Sequence, residues 1–508
     1  MISFFFSPFM RRFFIFPLFF GVLVFPGISG ATALDAALDI SSGSEHSCSA
    51  LSDGTVKCWG ANWGGQLGNG TTNDQLSPVS VSSISNAVAA FVGMYHSCAV
   101  LSDGTAKCWG SNWSGQLGDG TETDRDTPVI VNGLSGVTKM AGGSDHTCAL
   151  LSSGSVQCWG GNQNGQLGNG TTSSSSTPVS VSGIATAVDI TAGEFHTCAV
   201  LSNGVAKCWG KNTYGQLGDA STTQRTSPVS VSGLSGATHI SAGAYHTCAV
   251  LSDGTAKCWG DNTSGELGNN STTSSSTPVS VSGITSAVAI AANQTYDTDT
   301  AHSCAVLSDG MAKCWGDGLF GQLGNGSSPS SPQKTPVLVS GLSGATSIAL
   351  AYATSCARLS NNTVQCWGDD YAGTLGDGSG DSSRNTPGLV VGLTVEGGET
   401  ACTESDWSFT LDPSVCPESE VQTKYWTQTN ANCSGGVSHP ASEQVSCPYN
   451  GGSGGESFWE QAGNALYYLL GNIGIGTNSP QEKLDVNGNI RLTGNILPNG
   501  DLCIGVCQ

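Results

Sequence analysis

The chain has 508 residues, 71 of them glycine, with only 11% charged side chains and a formal net charge of −21. Such a length exceeds one ordinary hydrophobic core and predicts several domains or a closed array of repeats. The negative charge excludes nucleic acid and anionic membrane surfaces as partners, through simple repulsion.

At the N-terminus, Arg11 and Arg12 precede an apolar run from Phe13 to Ile28 that ends in small residues. This pattern is a secretory signal peptide over residues 1–33, cleaved near Ala31 or Ala33; after cleavage no membrane-length apolar stretch is left. An uncleaved anchor is the alternative. The expected address is secreted or cell-surface. Twenty cysteines suit it, because exported thiols at regular spacing become disulfides.

Residues 36–396 repeat. A cysteine stands at 48, 98, 148, 198, 248, 304 and 356, and each is followed ten residues later by another. The copy near Ala187 reads AVDITAG, HTCAVLS, a turn, VAKCWG, a Gly/Asn loop and SPVSVSG, which makes four short strands. Seven such copies at a period of about 50 predict an all-β chain whose main domain is a seven-bladed β-propeller, a ring without exposed sheet edges.

The hairpin explains the cysteine spacing. A three-residue loop such as Ser252-Asp253-Gly254, with its glycine left-handed, sets Cys248 directly opposite Cys258 at a Cα separation of about 4.5 Å. The same count pairs Cys48 with Cys58, Cys98 with Cys108, Cys148 with Cys158 and Cys198 with Cys208. It also pairs Cys304 with Cys314 and Cys356 with Cys366. Zinc is disfavoured, because the pairs sit one per repeat and do not converge. Each bridge closes a small loop, worth about 3 kcal/mol in the chain-entropy account, and none joins two blades. Ring closure would then rest on strand pairing and on Leu389 and Val391 meeting the segment ALDISSG (37–43).

The motif HTCAVLSDGTAKCWG followed by GELG, with GQLG at 65, 115, 165, 215 and 321, resembles the regulator-of-chromosome-condensation repeat over residues 36–392. The resemblance implies a seven-bladed propeller. The family's eukaryotic namesake is a nuclear nucleotide-exchange factor for a small GTPase. A signal peptide and paired cysteines set this chain apart from it and align it with bacterial exported members.

Residues 402–447 hold four cysteines, and SDWS, VQTKYW, CSGG and EQVSC resemble a thrombospondin type-1 module. That resemblance implies stacking among Trp407, Lys424 and Trp426, with two of the usual six cysteines absent. Residues 448–457 form a linker. In 458–508, ALYYLLGNIGIGTNSPQEKLDVNGNIRLTGN resembles a β motif of bacterial and phage surface fibres, which implies a bacterial source and a homotrimer through this segment. Cys503 and Cys507 fit a local or an intermolecular bridge.

His46, His96, His146, His196, His246 and His302 share one repeat position on different blades. The expectation is structural, each imidazole bonding its own blade's backbone. Lys57, Lys107, Lys207, Lys257 and Lys313 are expected at solvated strand positions, and Trp59 and its equivalents in blade packing. No nucleophile elbow, HExxH or phosphate loop appears, so neither catalysis nor a cofactor is expected. The acidic loops 119–126 and 377–381 are candidate calcium sites, although neither has EF-hand spacing. The segment NQTYDTDTA (293–301), between the fifth and sixth copies, carries an insertion. Insertions gather on one face of a repeat protein, so Tyr296, Asp297 and Asp299 are the candidate partner contacts, with a neutral loop as the alternative. The expected function is binding or adhesion to a protein or glycan. A secreted inhibitor of another enzyme is the alternative, and a hydrolase of surface polymers a third reading.

Overall fold

A computed structural model describes residues 37–294, 300–380 and 382–393, together with strand backbones between 400 and 486. The chain divides into two compact units, Met1–Glu396 and Gly397–Gln508. The first contains seven antiparallel four-stranded sheets, each built from four strands consecutive in sequence. In blade one these are β1 (Ser41–Ser42), β2 (His46–Ala50), β3 (Val56–Gly60) and β4 (Gln75–Ser80). In blade seven they are Ala345–Leu350, Thr354–Leu359, Val364–Gly368 and Arg384–Leu389. The first strands of all seven blades surround one axial cavity of about 220 Å³. The first unit is a seven-bladed, all-β propeller.

Each hairpin follows from its loop. The Leu251 N–H donates to Thr255 O at 2.9 Å, the Gly254 N–H donates to Leu251 O at 2.9 Å, and Gly254 lies at φ +79°, open to glycine at no steric cost. The strands therefore place Cys248 opposite Cys258, where they are disulfide-bonded with Cα atoms 4.0 Å apart. The other six hairpins carry the bridge expected of them. Cys48 is joined to Cys58, Cys198 to Cys208 and Cys356 to Cys366, with Cα atoms 4.1 Å apart. Cys98 is joined to Cys108, Cys148 to Cys158 and Cys304 to Cys314, at 4.0 Å. All seven separations are shorter than the 4.5 Å expected of such a strand pair, because the covalent link draws the two backbones together.

These bridges do more than brace hairpins. Cys48 and Cys58 pack with Ala90, Val92, Ala99 and Trp109 of the next blade, so the sulfurs are part of the inter-blade core. Cys108 and Cys158 do the same one and two blades further on, against Trp159 and Trp209. Cys208 packs against Trp259 and Cys314 against Trp367, while Cys366 packs against Trp59 where the last blade meets the first.

One expectation about edges is corrected. The fourth strand of every blade ends its sheet and is half exposed, so the ring keeps seven outer edges. Each carries a proline (Pro78, Pro128, Pro178, Pro228, Pro278, Pro336, Pro387) that lacks the N–H an added strand would need.

The ring closes by packing. Trp59, Ala37, Ile40 and Leu51 of blade one share a buried cluster with Val364, Leu375, Val390 and Leu393 of blade seven. Blades one and seven remain separate sheets, and Leu389 and Val391 are 52% and 41% exposed, so neither strand pairing nor those two side chains closes the seam. Alternation puts Leu389 and Val391 on the outer side and Val390 inward. The Lys57 Nζ donates to Gly392 O at 2.8 Å across the same seam.

The histidines are structural, but their partners differ from expectation. Each imidazole Nε2 reaches the hydroxyl of the following blade: His46 to Ser97, His96 to Thr147, His146 to Thr197, His196 to Thr247, His246 to Ser303 and His302 to Ser355, at 2.7 to 3.0 Å. That hydroxyl donates onward to a main-chain carbonyl of the previous blade, as Ser97 does to Gln66 O. The Trp109 Nε1–H donates to the same oxygen at 2.9 Å. One carbonyl thus gathers two donors from its neighbour.

Blade seven breaks the series, and the glycine beside the imidazole is not what decides it. In blades two to five the imidazole lies over a glycine, such as Gly93 or Gly143, where a Cβ would collide with the ring Cε1. In blade six the corresponding residue is Asn293, which has a Cβ, yet His302 still reaches Ser355; in blade seven it is Ala351, and Thr354 replaces the histidine and donates its hydroxyl to Asp369 O at 2.6 Å. Thr354→His should destabilise the fold by about 1 kcal/mol, because it removes that buried hydroxyl's bond to Asp369 O. A denaturant melt checks this; an unchanged midpoint refutes it.

In the second unit, Trp407–Asp412, Val421–Gln428 and Ser442–Ser446 form a three-stranded sheet, and Thr400–Cys402 pairs in parallel with Cys433–Gly436. Trp459–Ala462 and Ala465–Tyr468 make a hairpin, and Ile473–Ile475 pairs in parallel with Leu484–Val486. The signal segment, the linker, Cys503 and Cys507 lie outside the described residues.

Candidate binding face

Antiparallel order within each blade sends two kinds of loop to each end of the ring. The turns between first and second strands and the longer loops between third and fourth strands share one end. The Ser-Asp-Gly hairpins share the other. The insertion lies inside blade six, between its first strand Ala287–Ala292 and its second strand His302–Leu307, and so belongs to the first end rather than to a junction between blades. Tyr296, Asp297 and Asp299 lie outside the described residues. Gln294, at the start of the insertion, spans the axis: its Nε2 donates to Gly142 O of blade three at 3.0 Å and to Ala192 O of blade four at 2.5 Å.

The same end presents aromatic side chains. Trp63 and Trp113 are about half exposed, with ring planes within 3° and centroids 6.5 Å apart. Tyr95 lies tilted between them, 5.3 Å from Trp63 and 5.4 Å from Trp113. On blades four and five, the Lys211 ammonium stands 5.0 Å from the Phe195 ring and 4.9 Å from the Tyr245 ring. Sequence reasoning attended to the buried Trp59 series and passed over Trp63 and Trp113, although an aromatic four residues beyond the repeated tryptophan was a readable signal.

Glu45 and Asp145 hold the repeat position of Tyr95 in blades one and three, and Glu194 bonds Tyr245. Burial raises the carboxyls of Glu45, Asp145 and Glu194 above their ordinary range, and Asp74 and Asp369 push Glu45 further by repulsion. For Glu194, the Tyr245 hydroxyl and the Lys211 charge oppose the rise.

The candidate calcium loops have internal partners. Asp119 pairs with Arg125 at 2.9 Å and Asp377 with Arg384 at 2.8 Å. No group of three His, Cys, Asp or Glu side chains suited to a metal occurs among the described residues. The lysines are only in part solvated: Lys57 is buried, and Lys107 and Lys313 donate to Ser83 O and Gly283 O.

Glu266 is an oddity of blade five, where five other blades carry glutamine. It is fully buried, its Oε1 has no hydrogen-bond partner, and burial with the nearby Asp261 charge pushes its carboxyl up to about 8. At neutral pH the folded state must hold a proton that the unfolded chain releases, which costs stability as pH rises from about 4.5 toward 8. In blade six the Gln322 amide donates to Asp317 at 2.7 Å. Glu266→Gln should supply the same donor to Asp261 and raise stability at pH 7 by about 2 kcal/mol, with no gain at pH 4. A gain independent of pH would refute the ionisation account.

Two models described as regulator of chromosome condensation (RCC1) repeat match the chain, one at residues 53–100, 103–150, 153–200 and 208–250, the other at 38–66, 87–116, 137–166, 187–216, 237–266 and 301–322. The E3 ubiquitin-protein ligase HERC2 of Homo sapiens and that of Mus musculus are each 37% identical over 98 residues, 18% of this chain and 2% of theirs. The chain therefore spans a small fraction of those relatives. Among solved structures, yeast RCC1 (Prp20) bound to Kap60 has a TM-score of 0.59 at 19% identity, covering 76% of this chain and 91% of that one. Human WBSCR16 has a TM-score of 0.59 at 20% identity, covering 66% and 95%. Prp20p from Saccharomyces cerevisiae, described with its binding to Gsp1p and histones, has a TM-score of 0.58 at 19% identity, covering 74% and 90%. These likenesses concern the fold.

Proposed function

Because the chain carries repeats of the regulator-of-chromosome-condensation family, we propose that it is a non-catalytic binding protein whose loop face docks a macromolecule outside the cell. The observation that carries the reading is the exposed cluster Trp63–Tyr95–Trp113: large aromatic groups left in water on a rigid scaffold are what binding hot spots are made of. Prp20p, a propeller of this fold that binds Gsp1p and histones, offers a fold-level precedent for a protein partner. The signal-peptide pattern and a disulfide in every blade support export. The thrombospondin-like and fibre-like segments would attach or display the propeller at a bacterial surface, the latter as a trimer.

The test has two arms. Fractionation of an expressing culture, with N-terminal sequencing, locates the chain; retention of residues 1–33 in the cytosol overturns export. A screen of surface proteins and glycans with the full chain then compares wild type with the double variant Trp63→Ala, Trp113→Ala. Binding unaffected by the double substitution moves the site off this face. An inhibitor, in contrast to an adhesin, would capture a soluble enzyme and abolish its activity.

A further inference from the structure

We propose that the arc Glu45–Trp63–Tyr95–Trp113–Asp145 recognises a cationic polypeptide segment, its arginine or lysine side chains stacking on the two indoles between flanking carboxylates. This rests on the loop-face reading above and names the chemistry of its partner.

The repeat orders the arc. Glu45, Tyr95 and Asp145 each immediately precede the blade histidine, in blades one, two and three. Trp63 of blade one leans on Tyr95 of blade two, and Trp113 stands at the same repeat position one blade further, where Asp145 of blade three takes Tyr95's place in the repeat. Acid, indole, phenol, indole and acid therefore follow one another around the rim. Glu45 is half-buried, and Asp145, only 7% exposed, accepts from the Gln166 amide at 3.3 Å; burial raises both carboxyls. Such groups gain most when a cation arrives.

The molecule contains its own example of the missing half. On blades four and five, Lys211 sits over Phe195 and Tyr245, beside Glu194. The positions equivalent to Lys211 are Ala61 in blade one and Ser111 in blade two. On this arc the chain supplies the rings and the acids, and small neutral residues stand where blade four places its lysine. A cation supplied by a partner completes the arrangement that blade four completes internally.

A fluorescein-labelled tetra-arginine peptide is titrated into the full chain, with a neutral β-1,4-linked N-acetylglucosamine oligosaccharide as the competing chemistry. The expected result is binding that weakens about tenfold or more in the pair Trp63→Ala, Trp113→Ala and in the pair Glu45→Gln, Asp145→Asn. It should be unchanged in the pair Asp53→Asn, Asp103→Asn, at the opposite end of the ring. Thermal melts of all three pairs establish that each is folded. Equal loss in the distal pair, or no loss in the arc variants, overturns the proposal in favour of diffuse attraction to an acidic chain. Oligosaccharide binding that depends on Trp63 and Trp113, with tetra-arginine indifferent to them, overturns it in favour of a glycan platform. If a partner from the screen needs the indoles but tetra-arginine does not compete with it, the face stands and the cationic chemistry falls.

Discussion

Lowering the pH from 7.5 to 5 should destabilise the full chain sharply, with a net uptake of about three or four protons on unfolding. The six blade histidines are wholly buried, and burial holds five of them down to about 3 and His96 to about 4. Unfolded, each titrates near 6.5, so below that pH the unfolded chain binds protons the folded one refuses. Stability present above pH 6.5 is lost on the way down to the folded values, at up to about 1.4 kcal/mol per pH unit for each histidine. Asp39, raised to about 7 by burial, and Glu266, raised to about 8, oppose this, because folded they keep a proton that the unfolded chain gives up. Half-buried Glu45 and buried Asp145 and Glu194 oppose it as well, and six histidines outweigh them. Denaturant unfolding at successive pH values measures the slope. His146→Gln should cost stability at pH 7.5 yet flatten the slope by about one proton. A slope the substitution leaves untouched would assign the acid sensitivity elsewhere.

Trp59→Ala should cost about 3–5 kcal/mol and open the ring at one place. The indole is fully buried, and its Nε1–H donates to Thr374 O at 3.1 Å across the junction of blades one and seven. Truncation leaves a cavity in the buried cluster that joins the two ends of the propeller's chain, and orphans a buried carbonyl. Trp209→Ala removes an equivalent side chain, whose Nε1–H donates to Gln166 O at 2.9 Å, but there the polypeptide itself continues from blade three to blade four. Hydrogen exchange should therefore rise in residues 37–51 and 375–393 for Trp59→Ala, and only locally for Trp209→Ala. Leu389→Ser, at an exposed position, should change stability by less than about 0.5 kcal/mol. Matching exchange patterns in the two tryptophan variants would mean that the seam is no weaker than any other interface.

Repetition made much of this molecule legible from its residues. Seven cysteine pairs at a separation of ten, from Cys48 with Cys58 to Cys356 with Cys366, determine a hairpin register. A three-residue loop leaves only one way to count outward along two strands. A fourfold strand pattern repeated seven times likewise determines the blade. Those are local rules, and local rules survive in sequence. What joins one blade to the next did not, because the partners lie 31 to 57 residues apart and their meeting depends on how sheets stack. That the bridge of Cys108 or Cys158 would face the tryptophan of the next blade was hidden in the same way. That His96 would bond Thr147 rather than its own backbone, and that Val390 rather than Leu389 would seal the ring, both turn on which side of a twisted strand faces a neighbour. The aromatic arc had no local signature either. Trp63, Tyr95 and Trp113 belong to three separate loops of two blades, and only the stacking of those blades makes them one surface.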